Sequence, residues 1–87
     1  MIQEVLLSMI TKKDLAKALE GVNVDIPVND KDVSITELLE DSLHLVSLLV
    51  QLEVEFNIEF TDDELNDDIL LSANHLLEVI NGKVADN

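Results

Sequence analysis

Near the amino terminus, Ile2, Val5, Leu6, Met9 and Ile10 recur at the spacing of one helical face. Lys12 and Lys13 then interrupt the stripe, and Leu15, Ala16 and Leu19 resume it at a rotated angle. Thr11 and Asp14 have the spacing of a cap that starts a second helical segment. The pattern predicts a helix from about residue 2 to residue 20, kinked near residues 11–13, with Gly21 as its C′ stop.

From Val22 to Val28 apolar and polar residues alternate. That period suits a strand, but no other segment offers a pairing partner, and Pro27 opposes a central strand. The expectation is an extended loop across the helices, with Val24, Ile26 and Val28 inward and a turn at Asn29, Asp30 and Asp32. Ser34 and Glu37 have capping-box spacing, which predicts a single helical turn over Ile35, Leu38 and Leu39.

The longest helix is expected over residues 42–56, about 22 Å at 1.5 Å per residue. Leu48, Leu52 and Phe56 stand at successive i+4 positions, and Leu45, Val46 and Leu49 widen the stripe meant for the core. Asn57 ends this helix, and Ile58 and Phe60 turn the connection inward. Thr61 with Glu64 gives another capping box and a short helix near residues 62–66. The last helix follows Ser72, runs through Leu76, Leu77 and Ile80, and is expected to stop at Asn81-Gly82, leaving residues 83–87 as a frayed tail. Three main helices, one short helix and a long first loop make an all-α four-helix bundle. The 87 residues fit a single domain, with an ordered core over about residues 2–81.

Composition narrows the possible functions. A chain this short buries only about 60 to 65% of its unfolded surface, which argues against a deep catalytic cleft. It is 47% hydrophobic yet only 2% aromatic, so the core must be aliphatic. With 19 acidic and 5 basic residues, the net charge of −14 repels phosphate backbones and anionic membrane surfaces and favours basic protein surfaces. There is no cysteine, so any thiol chemistry must come from a prosthetic group. The amino terminus lacks a basic segment and a small-residue cleavage site, and no apolar run approaches the ~20 residues of a membrane span. A cytoplasmic protein is the expectation.

Chemistry centres on Ser42. A serine that opens a helix directly after an aspartate has its hydroxyl in solvent beside unpaired backbone N–H groups, where an attached anion is stabilised. The run Asp41-Ser42-Leu43-His44-Leu45-Val46-Ser47-Leu48-Leu49-Val50-Gln51-Leu52-Glu53-Val54-Glu55-Phe56 resembles the serine motif and following helix of acyl carrier proteins. The resemblance covers roughly residues 35–81, including Ile58-Glu59-Phe60 and Asp62-Asp63-Glu64; the amino-terminal third matches only in pattern, and its first loop region is several residues longer. It implies a bundle of acyl-carrier type with 4'-phosphopantetheine on Ser42, and a monomeric carrier that is not itself an enzyme. Asp41 would be both N-cap and acidic contact to the phosphopantetheinyl transferase, through the metal that neutralises the pyrophosphate of coenzyme A. The partner surface implied is Leu43, His44, Ser47, Val50, Gln51, Glu53 and Val54.

The departures from that family are specific. Leu39 stands where glycine is common two residues before the aspartate, and Ile35 stands in for a loop-anchoring phenylalanine. His44, Ser47 and Val54 occupy helix positions that are usually acidic. The surface is thus more apolar than in carriers of primary fatty acid synthesis, which points to partners with basic or mixed apolar faces in a specialised acyl, polyketide or aminoacyl pathway. Acyltransferases, ketosynthases and acyl- or aminoacyl-activating enzymes are the classes implied. The alternatives are an aminoacyl or peptidyl carrier, or an unmodified acidic adaptor.

Other chemistry reads as ordinary surface. His44 and His75 are expected to be solvent-exposed, and His75 with Glu78 lacks the further ligands of a metal site. Asp30, Asp32, Ser34 and Thr36 alternate like calcium ligands, but Ile35 sits where the loop needs glycine and Asp41 replaces the closing glutamate. Asp62, Asp63, Glu64, Asp67 and Asp68 form a solvated acidic face. Ser34, Ser42, Ser47 and Ser72 have no His/Asp pair at a spacing that argues for a triad. The stripe Leu48, Leu52, Phe56 and Ile80 is core first, and part of that aliphatic space could shelter a short acyl chain.

Overall fold

A computed structural model describes residues 10–29, 31–66 and 69–86. Among them there are four α-helices and no strand: α1 (Lys12–Glu20), α2 (Ser42–Phe56), α3 (Asp62–Asn66) and α4 (Ala73–Asp86), with 3₁₀ turns at Thr36–Leu38 and Ile69–Leu71. The expected small helical bundle is therefore what the chain forms.

α1 begins at Lys12. Thr11 is extended (φ −94°, ψ 166°). Its Oγ1 accepts from the Asp14 N–H at 3.1 Å, while the Asp14 carboxylate accepts from the Thr11 N–H at 3.0 Å. One continuous, kinked helix to residue 20 is thus replaced by a capped start; the rest of that expected helix, residues 2–9, lies outside the described residues.

Two asparagines end the helices flanking the first loop and the second. Gly21 follows α1 but remains right-handed (φ −63°), and Asn23 (φ 63°) takes the left-handed position expected of the glycine. The N–H of Val24 reaches the carbonyl of Leu19 and that of Asn23 reaches Glu20, the paired bonds of a Schellman turn. Asn57 (φ 55°) does the same for α2, with Ile58 N–H on Glu53 O. In each case the next residue, Val24 or Ile58, is buried, so the turn also delivers an apolar side chain to the core.

The loop after α1 buries Val24 and Ile26 as expected, but Val28 is 60% exposed. The chain bends at residues 28–29, and the loop is held there by Lys12 Nζ donating to the carbonyls of Asn29 and Lys31. Asp32 then caps α4 from a distance: it accepts from Ser72 Oγ (2.5 Å) and from the N–H of Asn74 (2.9 Å) and Val33 (3.0 Å). These bonds, Ser72 first, hold its carboxyl below the ordinary range. Asp32 is therefore engaged in capping, and among the described residues no cluster of three or more His, Cys, Asp or Glu could hold a metal.

The core is aliphatic. Leu15, Leu19, Ile35, Leu48, Leu52, Leu76 and Ile80 are fully enclosed, with Phe56 and Phe60 packed at its edge. Val46, expected inside, is 54% exposed because it stands about 200° round the helix from Leu48. α4 also passes its expected stop. Neither glycine has a positive φ, Val84 packs on the core, and Lys83 forms an ion pair with Glu64 at 2.5 Å, so residues 81–86 are helix rather than tail.

Candidate functional site around Ser42

The approach to α2 is set by Ile35, whose burial places the cap position of the 3₁₀ turn on Ile35 rather than Ser34. The expected Ser34–Glu37 capping box therefore does not form: Ser34 Oγ makes no hydrogen bond among the described residues, and the turn closes through backbone bonds. Leu38 points outward, while Leu39 is half-buried and extended (φ −88°, ψ 144°). Any L-residue adopts that conformation, which explains how the chain enters α2 without glycine at this position.

Asp41 is the N-cap. Its carboxylate accepts from the His44 N–H at 2.9 Å, and its carbonyl accepts from Leu45 N–H at 3.2 Å. That leaves the N–H groups of Ser42 and Leu43 without a partner inside the helix. Ser42 is the first residue of α2 and is exposed. A shallow groove of about 300 Å³ runs beside it, lined by Thr36, Leu39, Glu40, Asp41, Ser42 and Leu45.

Leu43 (77% exposed), Val50 (51%) and Val54 (75%) lie with Val46 and exposed Ser47 along the outer face of α2, a stripe with no charge. The other expected surface residues face their own chain more closely. Glu53 accepts from Phe60 N–H at 2.9 Å. The Gln51 amide lies against Gly21, 3.0 Å from where a β-carbon there would stand.

His44 departs most from expectation. It is half-buried, not free in solvent, and both ring nitrogens are engaged: Nδ1 with Glu40 N–H at 3.1 Å, and Nε2 with the Val22 carbonyl at 2.5 Å. The spacing of Glu40 and His44, one helical turn apart across a cap, was the available sign of the first bond. Nothing in the sequence marked the second, which spans 22 positions. His75 is exposed as expected.

No protein-family model, curated protein or solved structure matches this chain. Among the described residues, no helix is long and apolar enough to cross a membrane.

Proposed function

We propose that this chain is a monomeric cytoplasmic acyl carrier protein that holds intermediates as thioesters on 4'-phosphopantetheine attached to Ser42. The observation that carries this reading is the place of Ser42: an exposed hydroxyl at the first position of the longest described helix, immediately after the aspartate that caps it. The residues present fit the group. An attached phosphodiester would meet the free N–H groups and the positive end of the helix, and the groove past Leu39 and Leu45 gives the arm an apolar surface to lie on.

The serine's chemistry is attachment. On a separate transferase, Ser42 Oγ forms a bond to the coenzyme A phosphorus nearer pantetheine as the pyrophosphate P–O bond breaks; adenosine 3',5'-bisphosphate leaves and the hydroxyl proton passes to the transferase's base. The arm supplies the thiol that this cysteine-free chain lacks. Thereafter tethering acts by raising the local concentration of cargo at each partner's active site. The uncharged outer face of α2, Leu43, Val46, Ser47, Val50 and Val54, suits acyltransferases, ketosynthases or acyl- and aminoacyl-activating enzymes whose docking faces are partly apolar. This favours a specialised acyl, polyketide or aminoacyl pathway.

Intact mass tests the proposal. With coenzyme A and a broad-specificity transferase, the wild-type chain gains one phosphopantetheinyl mass and Ser42→Ala gains none. No gain by the wild type with several such transferases overturns it in favour of an unmodified acidic adaptor.

A further inference from the structure

We propose that His44 is a positioning residue: its imidazole, held in one neutral tautomer, bolts the turn after α1 to the segment that delivers Ser42. A backbone N–H can only donate and a carbonyl can only accept. The Glu40 N–H therefore requires a bare Nδ1, and the Val22 carbonyl requires a proton on Nε2. The two contacts fix the tautomer between them.

Each partner is a backbone group just outside a helix end. The Val22 carbonyl lies in the Schellman turn that follows α1, two residues past Glu20, the last residue of the helix. The Glu40 N–H lies just outside the cap of α2. One side chain thus satisfies an acceptor in the turn after one helix and orders the approach to the N-terminus of another. Asp41, between Glu40 and Ser42, holds the same residue from the other side through the His44 N–H. Residues 40, 41 and 44 form a closed loop of contacts around the backbone that orients Ser42.

The cleft beside the ring, about 270 Å³, is lined by Gly21, Val22, Asn23, Glu40, His44 and Ser47. Among the described residues, Glu40 is the one other ionisable residue in that lining, and Asp41 adjoins it along the chain. A proton added at Nδ1 would set two donors against each other and release the Glu40 amide. A glutamine amide also offers one acceptor and one donor, but on the end of a rotatable stem and not at fixed angles on one rigid ring, so it holds the two partners less firmly.

The functional consequence rests on the carrier reading; the bolt itself does not, and the two are tested separately. In the ¹⁵N-labelled full chain, the His44 ring resonances are expected to report a bare Nδ1 and a protonated Nε2, with the Glu40 amide protected from exchange. As the sample is acidified until those same resonances report ring protonation, protection at Glu40 should be lost in step. His44→Gln should raise Glu40 exchange about tenfold or more while core amides such as Leu52 keep theirs. With the transferase, this variant should show KM raised about tenfold at unchanged kcat, as expected when only part of the population presents Ser42 correctly. His75→Gln should change neither. A proton on Nδ1 in the wild type, or Glu40 protection unaltered by ring protonation, overturns the proposal even if His44→Gln does not fold. A bolt that behaves as described in a chain that no transferase modifies overturns the carrier reading and leaves the positioning role standing.

Discussion

Asn81 and Ile10 exchange two hydrogen bonds: the Ile10 N–H donates to Asn81 Oδ1 at 2.6 Å, and Asn81 Nδ2 donates to the Ile10 carbonyl at 2.9 Å. The side-chain amide thus pairs with the backbone as a neighbouring peptide would, fixing the chain before α1 to the middle of α4. Its amide is occupied in this way, so Asn81 continues the helix instead of ending it. Asn81→Ala leaves two half-buried backbone groups unpaired and should cost about 1 to 3 kcal/mol. Thermal or urea unfolding checks this, and Asn81→Asp, which keeps the acceptor and loses the donor, should fall in between or below through its added charge.

Thr11 and Asp14 cap α1 reciprocally. Thr11→Ala should destabilise the fold by about 0.5 to 2 kcal/mol, whereas Thr11→Ser, which retains the hydroxyl, should stay close to wild type. Denaturant titration of the three proteins distinguishes a capping role from packing by the threonine methyl.

The Asp32 carboxyl is lowered by Ser72 and by the N–H groups of Asn74 and Val33. A carboxyl whose folded pKa lies below its unfolded value contributes stability above the unfolded pKa, near 4, and loses it as pH falls through the folded one. Asp32→Asn should therefore melt below wild type at neutral pH, with the gap closing below about pH 4. Asp14, lowered by the Thr11 N–H and hydroxyl, and Glu64, lowered chiefly by Lys83, have the same sign. Melting temperatures measured for both proteins from pH 7 to 3 decide it; a gap that widens in acid contradicts the assignment.

A net charge of −14 on 87 residues repels itself. Moderate salt shortens the reach of each charge to about 8 to 10 Å, so the melting temperature should rise between low and physiological ionic strength, and magnesium should raise it further. A melting temperature unchanged between low and moderate salt would contradict this.

Features set by local rules were legible in the sequence. The caps at Thr11 and Thr61, the span of α2, the short α3 and the asparagine that ends α2 all follow from contacts within a few residues. What escaped was decided at longer range. Gly21 looked like the left-handed stop, but burying Val24 requires the turn two residues later at Asn23. Asn81-Gly82 looked like a helix end because its partner, Ile10, lies 71 positions away. Val46 is a local exception: its apolarity suggests the interior, although its angle from Leu48 puts it outside. At the candidate site, Ser42 and Asp41 were readable from cap chemistry, whereas the second contact of His44 could emerge only once the turn after α1 was in place.

The most direct measurement is localisation of the modification by fragment mass after treatment with coenzyme A and a broad-specificity transferase. The account predicts one phosphopantetheinyl group per chain, on the peptide containing Ser42. An unmodified chain, or a group found on Ser34, Ser47 or Ser72, would contradict it.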